Sequence, residues 1–176
     1  ENFIKIGKDN LEEKDKIIIE KLEKVVKSIQ KLPKSIENYG LIHTDLHFGN
    51  MFYDNGKLTI FDWDDASYKH FVSDIAIIIF YLFAFTQNSR QIISEKTNRV
   101  LRLLLKGYVR ECPFNADILA HLNEFLFLRT SILYVVIIAA GDDIHADFAK
   151  MYIEKYRDSI IDEIPFLDLE IALKGI

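Results

Sequence analysis

The sequence predicts an α+β fold that is mainly helical and carries one small β-hairpin. Apolar residues recur at helical spacing near the amino-terminal end and again from about residue 72 onward. Between these regions, two short apolar segments flank the dipeptide Asn55-Gly56, a strong signal of a two-residue hairpin turn. The predicted order is therefore a helix, a β-rich segment and a series of further helices.

The composition is that of a single domain large enough to bury a core. The 176 residues are 49% hydrophobic and 28% charged, so we expect residues 1–176 to form one domain. The net charge of −5 provides no excess of Lys and Arg to neutralise phosphates, and nucleic acid is not expected as a partner. The single cysteine, Cys112, is expected to be buried, and a cysteine-poor chain of this kind is expected in the reducing cytoplasm.

The first predicted helix runs from Asn10 to about Lys31 and ends before Pro33. Its apolar residues recur at helical spacings and charged residues fill the other positions, which is typical of an amphipathic helix that covers a core. The residues predicted to face the core are Leu11, Ile18, Leu22, Val25, Val26 and Ile29.

The β-rich segment begins with the short strand YGLIH, residues 39–43, and continues into the hairpin. A two-residue loop fixes the register of the strands that it joins. If Asp54 faces Lys57, the open end of the hairpin places Asn50 close to Asp62. Two polar residues that are far apart in the sequence are thus predicted to be neighbours.

The polar residues at this open end fit phosphoryl transfer. Asp45 reaches the same place through the short loop that follows the first strand. The reaction needs a carboxylate that orients and deprotonates a hydroxyl, and hard oxygen ligands that hold Mg²⁺ against nucleotide phosphates. His43-x-Asp45, four further residues and Asn50 have the spacing of a kinase catalytic loop, and Asp62 follows an apolar strand, where a second metal-binding carboxylate is expected.

Everything after about Phe71 is helical in pattern. The apolar runs Ile75–Phe85 and Thr130–Ala140 fall short of the roughly 18 residues of a membrane span, so we expect core helices and no membrane partner. The predicted helices cover roughly 72–87, 91–110, 116–140 and 146–163, with a short piece near 166–174.

Three motifs, HTDLHFGN, IFDWDDA and SDIA, resemble the aminoglycoside phosphotransferase and choline kinase superfamily, especially its homoserine-kinase-like and spore-coat-kinase-like members. The resemblance covers about residues 10 to 165. It implies the helical C-lobe of a protein-kinase-like fold, with the small hairpin beside the catalytic loop. The family usually has glycine where this chain has Thr44, a departure that removes no chemical group.

The resemblance also implies a role for each polar residue of the motifs. Asp45 would be the catalytic base, and His43 would organise the catalytic loop. Asn50 and Asp62 would bind Mg²⁺ and, through it, the nucleotide, while Asp64 would assist at the second metal position. The implied cofactors are Mg²⁺ and ATP or GTP, and the implied partner is a small molecule with an acceptor hydroxyl, such as an aminoglycoside or amino alcohol.

Members of this family also have an N-lobe that covers the nucleotide with a glycine-bearing hairpin and a strand lysine. None of the seven glycines here forms a Gly-x-Gly pair, and no lysine in a β-pattern precedes the catalytic loop. We therefore expect the chain to be the C-lobe of a longer kinase, whose N-lobe would be its partner within the same protein.

Two alternatives stay open beside the kinase interpretation. A pseudokinase or regulatory binding module could keep the fold without turnover, although such a module does not need Asp45, Asn50 and Asp62 together. A metal-dependent hydrolase could use His43, Asp45 and His47, because His and Asp side chains at short spacing also bind transition metals. Bound zinc or iron, and activity without nucleotide, would distinguish the hydrolase.

Other polar residues have a structural interpretation beside a functional one. Asp65 is either solvated or at the rim of the acceptor site, and Trp63 is expected to pack rather than stack on a ligand. Asp74 precedes an apolar helix and could cap it, while the family resemblance implies that it also accepts hydrogen bonds from catalytic-loop amides.

In the second half of the chain, Arg129 interrupts an apolar run and is expected to form a structural ion pair, with a contact to an anionic substrate as the alternative. The acidic segment Gly141–Asp147 is expected to be a solvated turn and helix cap, or else to attract a cationic substrate. The isolated histidines, expected at the surface or at helix ends, are His70, His121 and His145.

Overall fold

A computed structural model of the chain describes residues 2–84, 90–112, 116–141 and 144–173. The chain divides into two compact units. Unit 1 consists of Glu1–Leu32 with Phe127–Pro165, and unit 2 consists of Pro33–Leu126 with Phe166–Ile176. That the whole chain forms one kinase lobe stays a prediction.

Unit 1 is helical. It contains α1 (Asn2–Asn10), α2 (Lys16–Gln30), the second half of α5 (Leu122–Ala140) and α6 (Ala146–Ile161). The predicted helix from Asn10 to Lys31 is wrong at its start, because the 3₁₀ turn Glu13–Asp15 separates α2 from α1. Four of the six residues predicted to face the core are buried, namely Leu11, Ile18, Leu22 and Val25.

A buried carboxylate lies immediately before α2. Asp15, only 4% exposed, precedes the helix and accepts a 2.7 Å hydrogen bond from Nε of Arg157. It also accepts one of 3.2 Å from the hydroxyl of Tyr134, so that two donors compensate the buried charge. Burial raises the pKa of Tyr134, and the neighbouring carboxylate raises it further.

Helix α5 was predicted to start at residue 116, but its first part, Ala116–His121, is a 3₁₀ helix. The segment Asp117–Ala140 is long and apolar enough to cross a membrane, a test that core helices also pass. Tyr134 and Val135 in this segment are fully buried, in keeping with the predicted core helix.

Unit 2 contains two antiparallel strand pairs. Strand β1 (Tyr39–Ile42), predicted from the sequence, pairs with β4 (Ser67–His70), which was not predicted. The prediction that His70 lies at the surface is wrong. Its side chain is 3% exposed and lies against the rings of Tyr39 and Phe125. Its burial lowers the pKa of His70.

The predicted hairpin and its register are confirmed. Strands β2 (Met51–Asp54) and β3 (Lys57–Ile60) pair with Asp54 opposite Lys57. Asn55 and Gly56 have φ angles of 46° and 85°, the left-handed pair that a type I′ turn requires.

The remaining helices of unit 2 are α3 (Val72–Phe83), α4 (Arg90–Glu111) and α7 (Leu169–Ala172). The predicted ends of the first and last of these, residues 85–87 and 174, lie outside the described residues. Helix α3 is buried on nearly all sides, which agrees with its almost continuous apolar sequence. Cys112, expected to be buried, is only half-buried.

Candidate active site

The candidate catalytic loop, residues 43–50, connects β1 to β2 and is fixed at its start by Asp74. The two carboxylate oxygens of Asp74, in the first turn of α3, accept the main-chain N–H groups of His43 and Thr44, each at 2.9 Å. The role that the family resemblance implied for Asp74 is thus confirmed. Burial raises the pKa of Asp74, and these two hydrogen bonds oppose that rise.

Thr44 occupies a backbone conformation that favours glycine. Its φ of 68° is left-handed, a region that is costly for a β-branched residue. Its hydroxyl donates a 2.7 Å hydrogen bond to the main-chain carbonyl of Asp65. The departure from the family's usual glycine therefore adds a tie between the loop and the segment after β3.

His43 is 1% exposed, and both of its ring nitrogens are occupied. Nδ1 accepts the N–H of Asp45 at 3.3 Å, so the ring proton belongs on Nε2, which faces the carbonyl of Phe61 at 2.9 Å. Trp63 is 49% exposed and contacts the ring at 4.8 Å between centroids. His43 thus links the N–H of Asp45 to the carbonyl of Phe61 and has no free nitrogen for a metal, which counts against the hydrolase alternative.

Asn50 links the loop to the hairpin. It is 7% exposed, and its Nδ2 donates to the carbonyl oxygen of Asp45 at 3.1 Å, which leaves the amide oxygen available as a ligand. Its own carbonyl accepts the N–H of Phe61 at 3.1 Å. Asp62 therefore follows a residue that is hydrogen-bonded to Asn50, as the predicted register required.

The candidate carboxylates differ in how firmly they are held. The side chain of Asp45 is 30% exposed, in a loop that is fixed at both ends. Asp62 is exposed and has a φ of 65°, which turns the chain sharply after β3. Asp64 and Asp65 are exposed as well, and no hydrogen bond among the described residues fixes the Asp64 carboxylate to the loop.

His47, one of the residues of the hydrolase alternative, lies beside the candidate base. Its Nε2 lies 3.4 Å from Oδ2 of Asp45. Among the described residues, no three His, Cys, Asp or Glu side chains form a cluster that could hold a metal. A cation at Asn50 and Asp62 would therefore need further oxygen ligands, such as nucleotide phosphates.

The other candidate residues are distant from the loop in the sequence and lie on or next to helices α5 and α6. Arg129 is partly buried on α5. His145 occupies the position before α6 and Asp147 its first turn, both exposed, while Asp142 and Asp143 of the acidic segment lie outside the described residues. His121, at the start of α5, faces Glu124 at 2.7 Å, a helix-end position as predicted.

Comparisons with known proteins agree with this geometry. The model of the phosphotransferase enzyme family matches residues 4–94, which include the whole candidate site. Amicoumacin kinase of Bacillus subtilis (strain 168) is 33% identical over 117 residues, which are 66% of this chain and 35% of the relative.

A solved structure of an amicoumacin kinase in complex with AMP-PNP, Ca²⁺ and Ami superposes with a TM-score of 0.82 at 26% identity. The match covers 98% of this chain and 52% of that one, so the chain spans about half of the solved relative. The predicted kinase-like fold is thus confirmed. Because the family model covers more than half of its residues, the chain belongs to the phosphotransferase enzyme family.

Proposed function

We propose that this chain carries the catalytic part of a kinase that transfers the γ-phosphoryl group of ATP or GTP to a hydroxyl of a small molecule. The observation that carries the proposal is the Asp45 loop. Asp74 fixes its start, Asn50 ties its end to the Asp45 carbonyl, and the hairpin register adds Asp62. A binding module without turnover would not need the three polar side chains together.

In this proposal, Asp45 acts on the acceptor. One oxygen of its carboxylate accepts the hydroxyl proton of the acceptor as the hydroxyl oxygen forms a bond to the γ-phosphorus. The bond between the γ-phosphorus and the bridging oxygen breaks at the same time, and the nucleoside diphosphate leaves with that electron pair. His43, buried and hydrogen-bonded through both ring nitrogens, keeps the loop in the shape that presents Asp45.

The oxygen ligands at the end of the hairpin fit Mg²⁺. Asn50 donates to the Asp45 carbonyl through Nδ2, which directs its amide oxygen away from that bond, and the carboxylate of Asp62 is exposed. Hard oxygen donors of this kind suit Mg²⁺, which when bound would neutralise charge on the phosphates. Asp64, two residues further on, would supply an additional carboxylate at the second metal position.

We also propose that a separate N-lobe of the same protein covers the nucleotide. The chain spans only 35% and 52% of the two relatives described above. It has no Gly-x-Gly pair for a phosphate-covering hairpin. We further propose that the protein works in the cytoplasm, since its single cysteine suits a reducing compartment.

The similarity to amicoumacin kinases makes amicoumacin the first acceptor to test. We expect the full-length protein, mixed with Mg²⁺-ATP and a panel of amicoumacin, aminoglycosides and amino alcohols, to add one phosphoryl group to a panel member. Mass spectrometry of the panel detects that addition, and omission of Mg²⁺ should abolish it. Product formation without nucleotide would instead favour hydrolysis and contradict the proposal.

A further inference from the structure

Thr44 is a costly residue at its position in the catalytic loop. Its φ of 68° lies in the left-handed region, where a β-branched residue is an outlier. Strain of this kind persists only where the surrounding structure holds it, and it is concentrated at functional sites. Thr44 is 7% exposed, and its hydroxyl donates a 2.7 Å hydrogen bond to the main-chain carbonyl of Asp65. The glycine that is usual in this family could not make that bond.

The segment after β3, residues 61–66, contains both carboxylates proposed as metal ligands, Asp62 and Asp64. At its first residue, the main-chain carbonyl of Phe61 faces Nε2 of His43 at 2.9 Å. Because the ring proton of His43 is on Nε2, this contact is a hydrogen bond from the loop to the segment. The catalytic loop thus holds the beginning of the segment.

The far end of this segment is a turn. The N–H of Ala66 donates to the carbonyl of Trp63 at 2.9 Å, which closes the turn around Asp64 and Asp65. Thr44 donates to the carbonyl of Asp65, one of the two central residues. A turn closed only by its own hydrogen bond could rotate as a unit about the residue that leads into it. The bond from Thr44 opposes that rotation.

Both contacts to the segment start from residues that are themselves fixed. The two carboxylate oxygens of Asp74 accept the N–H groups of His43 and Thr44, each at 2.9 Å. The side chains of these two adjacent residues then reach opposite ends of the segment. The loop that carries Asp45 and the segment that carries the proposed metal ligands therefore share one frame.

From these contacts we propose that Thr44 is a positioning residue for the metal site. Its hydroxyl fixes the far end of the segment and so determines where the carboxylates of Asp62 and Asp64 lie relative to the Asp45 loop. The inference rests on the proposed function. Mg²⁺ requires nearly ideal octahedral geometry, so its binding is sensitive to small displacements of its ligands.

Two substitutions at position 44 separate the hydroxyl from the rest of the side chain. Thr44→Val keeps the branched shape but has no donor for the Asp65 carbonyl. Thr44→Ser keeps a hydroxyl on Cβ and can still donate to that carbonyl. Thr59→Val, at an exposed position of β3, is the matched control for the same chemical change outside the loop.

The first measurement is a Mg²⁺ titration of activity in the full-length protein with ATP and amicoumacin. We expect Thr44→Val to raise the Mg²⁺ concentration for half-maximal activity about three- to tenfold, the usual effect of one lost hydrogen bond. Its kcat at saturating Mg²⁺ should stay within about threefold of the parent, because the proposed base is unchanged. Thr44→Ser and Thr59→Val should stay within about twofold of the parental Mg²⁺ concentration. A parental Mg²⁺ dependence in Thr44→Val, or an equal shift in Thr44→Ser, would overturn the inference.

Hydrogen exchange on the full-length protein without metal, nucleotide or acceptor gives a second readout that does not depend on activity. Thr44→Val should speed exchange of the Ala66 N–H about three- to tenfold, because the turn opens more often without its tie to the loop. The N–H of His43 should keep its parental rate, since Asp74 still holds it.

Unchanged exchange at Ala66 in Thr44→Val would show that the hydroxyl does not hold the segment and would overturn the inference. Equal acceleration at Ala66 and His43 would also overturn it, because the substitution would then loosen the whole loop. Parental exchange in Thr44→Ser beside faster exchange in Thr44→Val would support it. A parent protein that is inactive in all acceptor assays would contradict the proposed function, and hydrogen exchange would still decide whether Thr44 holds the segment.

Discussion

The hydroxyl of Thr44 donates a 2.7 Å hydrogen bond to the main-chain carbonyl of Asp65. Thr44 has a left-handed backbone, at a φ of 68°, immediately before the proposed base. A strained residue in the loop is thus tied to the segment that carries the proposed metal ligands. The bond offsets part of the conformational cost that a glycine at this position would avoid.

Two substitutions separate the backbone strain of Thr44 from the contribution of its hydrogen bond to Asp65. Thr44→Val keeps the strain and leaves the Asp65 carbonyl without its donor, so we expect a loss of about 1–3 kcal/mol in the free energy of unfolding. Thr44→Gly relieves the strain as it loses the bond, and should stay within about 1 kcal/mol of the parent. Urea unfolding of residues 1–176 measures both, and equal losses in the two variants would contradict the account of Thr44.

The free energy of unfolding should fall as the pH is lowered, because protonation of His70 favours the unfolded state. Burial lowers the pKa of His70 below its ordinary value of 6.5, so the unfolded state binds more protons than the folded state in this range. The stabilising contribution is therefore present above about pH 6.5 and is lost as pH falls through the folded-state pKa.

His70→Phe keeps a ring between Tyr39 and Phe125 but cannot titrate. We expect the difference in unfolding free energy between about pH 7.5 and about pH 5 to be smaller in this variant than in the parent. His145→Phe, at an exposed position, should leave that difference as it is in the parent. An unchanged pH dependence in His70→Phe would show that another group is responsible.

The two proposed metal ligands should contribute unequally to Mg²⁺ affinity. Asn50→Ala and Asp62→Ala should each raise the Mg²⁺ concentration needed for half-maximal activity, and Asp62→Ala should raise it more, because a carboxylate is the stronger ligand for a hard cation. Asp54→Ala, an exposed carboxylate on the same hairpin, is the control. If all three variants saturate at the parental Mg²⁺ concentration, the metal site lies elsewhere.

The hairpin shows what sequence patterns can determine. An Asn-Gly turn fixes the register, and the register alone places Asn50 beside the segment of Asp62. The paired residues of β2 and β3 were therefore predictable from local chemistry. Long apolar segments such as α3 were also predicted, since burial on nearly all sides leaves an almost continuous apolar sequence.

Contacts between distant segments were not predictable in the same way. Strand β4 has the short sequence SYKH, which has no clear alternation, and it forms by pairing with β1. His70 lies opposite Tyr39 in that pairing and is buried there. Asp15, immediately before α2, is buried with hydrogen bonds from Arg157 and Tyr134, residues more than a hundred positions away. The 3.4 Å approach of His47 to Asp45 depends in the same way on how the loop folds.

The proposed N-lobe gives a further prediction. Residues 1–176 alone should bind Mg²⁺-ATP only weakly, because half of the nucleotide's enclosure would be missing and the γ-phosphoryl group would not be held in line with the acceptor. The full-length protein should bind more tightly by calorimetry. Equal, tight binding by both would show that this chain contains the whole nucleotide site.

The central claim is that Asp45 is the catalytic base, and its most direct test is the turnover of Asp45→Asn in the full-length protein. The variant keeps the shape of the side chain but removes the proton acceptor. We expect turnover to fall about 10²- to 10⁴-fold, the usual contribution of a general base, with little change in nucleotide affinity. Asp54→Asn should keep parental turnover. Near-parental turnover in Asp45→Asn would contradict the account and remove Asp45 from the chemistry.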